Sequence, residues 1–201
     1  MEGNPDSFRT AIRTRRLDLI PGTVALLDAE LESPHTLASL LGAEAPDGWP
    51  PGEYDASAMK YFRDRLAENP DAVGWYGWYA LLRSEAGGAS VLIGAGGFLG
   101  PPDADGAVEI GYSVLRGFEG RGYATELVCA LLQHAFATGQ VRRIVAHTAR
   151  SNLGSIQVLE RAGFRLAGHG QDRETLEYHR WFLPPDSKTT RGVLNNDRTD
   201  Q

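Results

Sequence analysis

The segment Gly117-Phe118-Glu119-Gly120-Arg121-Gly122-Tyr123-Ala124 has the residue types and spacing that come nearest to chemistry. Residues 108–114 precede it. They alternate and are rich in β-branched and aromatic side chains, as a strand is. Ala124, Leu127, Val128, Leu131 and Ala135 follow it with an apolar spacing of helical period. The order is therefore strand, glycine-rich turn, helix. Glycines at such a junction let the backbone turn tightly and approach a ligand. The first N–H groups of the helix have no partner within it, and the helix dipole favours an anion beside them. The combination suits a phosphate or pyrophosphate, although a plain chain reversal would use the same glycines. Two other phosphate motifs do not fit. A P-loop needs Lys and then Ser or Thr after its glycines, but Tyr123 and Ala124 follow Gly122. A dinucleotide fingerprint needs a third glycine where Thr125 stands.

Taken with residues 152–164, this stretch resembles the GNAT superfamily of acyl-CoA-dependent N-acetyltransferases. It is most similar to the branch that includes the ribosomal-protein N-terminal acetyltransferases. Four blocks carry the resemblance in order: Glu109-Ile110-Gly111-Tyr112, the E-G-R-G-Y-A-T-E of residues 119–126, Ala146-His147-Thr148, and the N-L-G-S-I-Q-V-L-E-R-A-G-F of residues 152–164. The similarity implies one α/β (α+β) domain over residues 13–184. Its mixed, mostly antiparallel sheet would have about seven strands flanked by helices, splayed between the fourth and fifth. Residues 1–12 would be a flexible lead and residues 185–201 a disordered tail.

The resemblance also implies a reaction, in which acetyl-CoA donates an acetyl group to a primary amine. The backbone of Glu119, Gly120, Arg121, Gly122, Tyr123 and Ala124 would hold the pyrophosphate. The peptide-like pantetheine arm would pair with the strand edge at Tyr112, Ser113 and Val114, in the manner of an added strand. The Val114 N–H would face the developing oxyanion. Asn152 would hold the donor near its pantetheine, and Ser155 would give the leaving thiolate its proton. Glu109 would act as the general base for the attacking amine. The family's loop usually opens with Gln or Arg, where this chain has Glu119. Like charges repel, so the Glu119 side chain is expected to face solvent while its N–H serves the loop. CoA affinity is expected to be lower for the same reason. A non-catalytic acyl-CoA-binding module on the same fold is the alternative.

The acceptor is either a protein N-terminus or a small amine such as an amino acid, a polyamine or an aminoglycoside. An α-amino group, with a pKa of about 8, is partly neutral at physiological pH, and a lysine at about 10.4 far less so. Asp47, Glu53, Asp55 and Glu109 are the acids that could make a cleft for a polycation. Cys129 lies mid-helix among apolar residues and reads as a packing residue. Direct attack in a ternary complex is therefore expected. His147 and His179 fall on strands and are expected to pack or bond structurally, and no spacing of ligands implies a metal.

The elements that must position these groups follow from the pattern. Residues 14–20 read as a strand, and Thr23 as the cap of a helix carrying Val24, Leu27 and Leu31. Residues 34–41 and 56–67 read as further helices, separated by a turn-rich loop holding Trp49. Residues 74–82 and 90–99 read as a hairpin whose first strand carries Trp75, Tyr76, Trp78 and Tyr79. Alternate members are expected in the core, with one or two lining the acceptor cleft. Residues 142–148 read as a buried strand, and Ser151 or Asn152 as the cap of the next helix, stopped by Gly163. Residues 164–167 and 175–183 read as a last strand pair.

The bulk composition sets limits. The chain has 201 residues, a net charge of −6 and a single cysteine. The length suits one domain. The acidic balance, with no run of Lys or Arg, argues against general nucleic-acid binding. A lone Cys129 cannot form an intrachain disulfide, which fits a reducing compartment. No apolar stretch reaches membrane-spanning length, and residues 1–7 lack a signal pattern. A cytoplasmic protein is expected, and the aromatic strand is compatible with a homodimer.

Overall fold

The computed structural model describes residues 10–182 apart from residues 53, 85 and 171–173. The expected tail and the first nine residues of the flexible lead lie outside the described residues, as do Glu53 and the end of the last strand at Leu183.

The elements run β1 Ile12–Arg13, β2 Leu17–Pro21, α1 Val24–Glu32, α2 Pro34–Leu41, β3 Ala43–Glu44, α3 Ala56–Glu68, β4 Gly77–Leu82, β5 Ser90–Phe98, β6 Ala107–Val114, α4 Tyr123–Ala137, β7 Arg143–Ala149, α5 Leu153–Arg161, β8 Arg165–His169 and β9 Thr175–Trp181. The sheet order is β1-β2-β4-β5-β6-β7-β9-β8, with β3 against β5. Pairing is antiparallel except for β6–β7 and the short β3–β5 contact.

Nine strands are described where about seven were expected. The two additions, β1 and β3, have two residues each. The strand expected over residues 14–20 begins only at Leu17, and β1 precedes it as the other arm of an antiparallel hairpin, Ile12 opposite Leu19. Thr14 and Leu17 close a turn, with Thr14 N–H donating to Leu17 O at 2.9 Å. Thr14 and Arg16 then reach sideways to Glu126 on α4.

Local signals start and stop the helices. Thr23 Oγ1 accepts from Leu26 N–H, Ser33 Oγ from Thr36 N–H, and Asp55 Oδ1 from Ser57 and Ala58 N–H. Gly42, at φ 62°, ends α2 in the left-handed conformation.

Both faces of the central strands are covered. Adjacent β4 residues enter opposite cores: Trp78 packs with Ile93, Phe98 and Leu131, while Tyr79 packs with Leu37, Leu92 and Leu115. Trp75, Tyr76, Trp78 and Tyr79 are all buried. They are spent on the chain's own cores, so they offer no surface for a dimer. α4 and α5 cover one face, while α1, α2 and α3 cover the other. Tight strand contacts need glycine in β5. A Cβ on Gly97 would meet Tyr76 O at 2.0 Å, and one on Gly94 would meet Ser113 O at 2.7 Å. Among the described residues, no helix is long and apolar enough to cross a membrane.

Candidate active site

A divergence of two strands makes the site. β6 and β7 pair in parallel only at Ala107↔Arg143, Val108↔Ile144 and Glu109↔Val145. Beyond that, β6 stays with β5 as far as Val114, and β7 stays with β9 as far as Ala149. The sheet therefore opens between its fourth and fifth long strands. Leu115 N–H donates to Ile93 O at 2.8 Å. Because an antiparallel ladder alternates its hydrogen-bonding residues, the N–H groups of Tyr112 and Val114 point away from β5 and into the opening. The cleft there has a volume of about 490 Å³. β6 contributes Ile110, Gly111, Tyr112 and Ser113, and β7 contributes His147, Thr148 and Ala149. Asn152 and Ser155 close one side, and Tyr54, Ala58 and Phe62 form the front wall.

The glycine segment begins where β6 ends and leads into α4. Gly120 and Gly122 take φ of 71° and 80°, which favours glycine. Among the described residues, the N–H groups of Gly120, Arg121, Gly122, Tyr123, Ala124 and Thr125 have no backbone acceptor. Glu119 differs from expectation: its N–H donates to Arg116 O at 3.3 Å, in the tight turn at Arg116–Phe118. Its side chain is exposed, as expected, and also borders the cleft.

Arg16 braces the loop from β2's side. It donates to Glu126 Oε2 at 2.7 Å through Nε and to Arg121 O at 3.0 Å through Nη1. Its guanidinium lies 4.3 Å from the Tyr123 ring centre. Burial raises the Glu126 pKa, but bonds from Thr14 and Arg16 outweigh it and hold the carboxyl below its usual range. No sequence motif marks Arg16, which comes from the turn before β2, 105 residues from Arg121.

Asn152 and Ser155 meet as the helix-cap spacing requires. Asn152 Oδ1 accepts the Ser155 N–H at 3.0 Å. Ser155 Oγ lies 2.9 Å from the Tyr112 hydroxyl, which also donates to Ser155 O at 3.1 Å. Burial pushes Tyr112 up to about 12, against the opposing Ser155 hydrogen bond. It therefore stays a neutral hydroxyl at physiological pH. Tyr112 was expected to contribute its backbone, and its side chain joins Ser155 as well.

Glu109 sits where the strands part, and its side chain is 40% exposed. Its Oε1 is 2.8 Å from His147 Nδ1. His147 Nε2 is 3.6 Å from Glu177 Oε2, and Glu177 Oε1 is 2.5 Å from His179 Nε2. Burial lowers the His147 pKa, but Glu109 and Glu177 outweigh it and hold it above the ordinary imidazole value. His147, expected from its strand position to pack or bond structurally, bonds Glu109 and also lines the cleft. Its position two residues past the end of the β6–β7 pairing is the reason, and only the register reveals that.

Among the described residues, Asp47, Asp55 and Glu109 of the acids considered for a polycation site lie apart. Asp55 caps α3, and Asp47 borders a separate hollow with Pro34 and His35. A different acid lies behind the front wall. Glu30 is 4% exposed and accepts from Trp49 Nε1–H at 2.9 Å, Tyr54 OH at 2.8 Å and Tyr79 OH at 2.6 Å. Burial pushes its pKa up, with the three hydrogen bonds opposing. Cys129 is half-buried on α4, and burial raises its thiol pKa against Arg180. That makes it a poor nucleophile.

The profile of the acetyltransferase (GNAT) domain matches residues 30–165. The uncharacterized N-acetyltransferase YjdG of Bacillus subtilis is 32% identical over 171 residues, which cover 85% of this chain and 96% of YjdG. Among solved structures, an acetyltransferase from Agrobacterium tumefaciens aligns with a TM-score of 0.58 at 26% identity, covering 86% of this chain and 95% of that one. The ribosomal α-N-protein acetyltransferase RimL in complex with coenzyme A aligns equally well, at 0.58, with 20% identity over 86% of this chain and 98% of RimL. The open sheet, the glycine loop at the start of α4 and these matches lead to one conclusion: the chain belongs to the GNAT family of acetyltransferases, whose acyl donor is acetyl-CoA.

Proposed function

We propose that this protein moves the acetyl group of acetyl-CoA to a primary amine by direct attack in a ternary complex. One observation carries the reading. The opening between β6 and β7 ends against the unpaired N–H groups at the start of α4. A pyrophosphate would take Gly120 to Ala124, and a pantetheine arm would lie along Tyr112 to Val114. The Val114 N–H faces the carbonyl oxygen as charge develops on it. The base is built on Glu109 at the closed end of the opening. Ser155, paired with the Tyr112 hydroxyl, supplies the proton to the departing thiolate. Asn152 borders the pantetheine side and fixes Ser155 through its cap.

The acceptor is an α-amino group on a peptide or amino acid. The front wall of Tyr54, Ala58 and Phe62 is neutral. Such a wall suits an amine flanked by peptide or apolar groups, and a polyamine or aminoglycoside would need carboxylates along that wall. An exposed Glu119 would weaken pyrophosphate binding without preventing it, because the loop's donors are backbone groups.

Thiol release from acetyl-CoA, measured against a panel of amines, tests both parts. Turnover with short peptides exceeding that with polyamines is the expected result. Tight CoA binding with no thiol release in any mixture would favour the non-catalytic module.

A further inference from the structure

Glu109, His147, Glu177 and His179 lie in a row across β6, β7 and β9, on the face of the sheet that the cleft opens onto. Among the described residues, no group of three or more His, Cys, Asp or Glu side chains is arranged to hold a metal ion. The row is one of hydrogen bonds and ion pairs, and His147 is its member that lines the cleft.

Nδ1 of His147 is engaged by Glu109 Oε1 at 2.8 Å. Nε2 has no such bond, since Glu177 Oε2 stands off at 3.6 Å, beyond hydrogen-bonding distance. A Glu109 oxygen accepting from Nδ1 fixes the tautomer of the neutral ring, so that Nδ1 carries the hydrogen and Nε2 keeps a lone pair. The imidazole is a third exposed, so water reaches it.

We propose that the proton leaving the acceptor amine is taken by His147 Nε2, with Glu109 as the carboxylate that orients and charges this base. The inference rests on the acetyltransferase reading above and specifies its proton acceptor. The balance is simple. The ammonium loses one proton, directly or through one water, to Nε2. Its nitrogen lone pair then forms the bond to the acetyl carbon, the C–S bond breaks with its electron pair on sulfur, Ser155 protonates that thiolate, and the second proton shed by the nitrogen restores the Ser155 hydroxyl. The imidazolium stands between Glu109 on Nδ1 and Glu177 near Nε2, and later returns the proton to water. The Nδ1–H stays with Glu109 throughout.

The surrounding charges are consistent with a stabilised imidazolium. β6 presents Glu109, and β9 presents Glu177 and His179, with Glu177 hydrogen-bonded to His179. Across the cleft stands Glu119. The cations on this face are occupied or further away. Arg143 on the same strand stacks on Trp181 at 5.2 Å, and Arg165 lies two strands away from His147, on β8 opposite His179 in register. The raised pKa of His147 agrees with two adjacent carboxylates.

The test is the pH dependence of thiol release by the full chain with one peptide amine, for wild type, His147→Gln and Glu177→Gln. The rate should rise with pH through the titration of His147. Glu177→Gln removes an anion that favours the imidazolium, so the rising limb should move to lower pH. The titration of the amine itself is common to all three proteins and cannot produce that movement. His147→Gln should lose kcat by about 10²–10⁴-fold, the usual size of a proton-transfer contribution, with little change in KM for acetyl-CoA. An imidazole titration by NMR, with His147 assigned by its loss in His147→Gln, should show the same displacement in Glu177→Gln without any turnover. Unchanged kcat and pH profile in His147→Gln would overturn the proposal while leaving the acetyltransferase reading intact. Absence of thiol release by the wild type with every amine would overturn both.

Discussion

Glu109 and Glu126 are two carboxylates on neighbouring elements with opposite duties. Glu109 is open to solvent and next to the cleft, and Glu109→Gln should lower kcat by about 10²–10⁴-fold. Acetyl-CoA affinity, read by calorimetry, should stay as it is. Glu126 is 15% exposed and takes three hydrogen bonds, from Thr14 and Arg16. Its folded pKa is held low, so its contribution is complete above the unfolded carboxyl value of about 4.3. That contribution is lost as pH falls through the depressed folded value. Glu126→Gln should cost about 1–3 kcal/mol at neutral pH and flatten the acid side of the stability curve, as thermal melts taken from neutral into acid will read. Glu30 has the reverse sign: its pKa is raised, so its contribution is present below the unfolded value and lost as pH rises through the folded one.

The loop before α4 and the strand β5 depend on glycine for different reasons. Gly122 needs its φ of 80°, and a Cβ there would lie 3.5 Å from Arg16 Nη2. A non-glycine residue in that conformation costs about 1–2 kcal/mol. Gly122→Ala should therefore weaken acetyl-CoA by roughly 5–30-fold, measured by calorimetry. Gly117→Ala, whose Cβ meets nothing within 4 Å, should bind as wild type and serves as the control. In β5 the issue is space. A Cβ on Gly97 would stand 2.0 Å from a backbone oxygen of β4's approach, so the strand pair would have to separate. Gly97→Ala should abolish cooperative unfolding or lower Tm far more than Gly122→Ala does.

For the molecule as a whole, the proposed acyl-donor site draws on both halves of the sheet: β6 with the loop to α4, and β7 with α5. A ligand bridging them binds only the folded chain. At about 100 times its dissociation constant it should add about 2.7 kcal/mol of stability, a rise of several degrees for this size. Melts with acetyl-CoA and CoA should show that rise, and melts with ATP should not. No rise with any of the three would remove the glycine loop as a CoA site. The same architecture explains the Arg16 brace. β2 is distant from α4 in the chain, and an open sheet with helices on both faces brings its turn beside the loop.

Much of this protein is legible along one dimension. Periodicity marks α3, α4 and β6, capping residues Thr23 and Asn152 start helices where expected, and Gly120 and Gly122 announce the loop, because these depend on near neighbours. The turn over residues 14–16 that precedes β2 was not legible, since Thr14 and Arg16 there bond to a helix 110 residues later. The same is true of the lining of the cleft by His147 and of the Glu30 carboxylate behind Tyr54. Each depends on strand register or on segments far apart in the chain meeting in space. Alternation says that a side chain faces one side of a sheet, and only the tertiary structure decides what waits on that side.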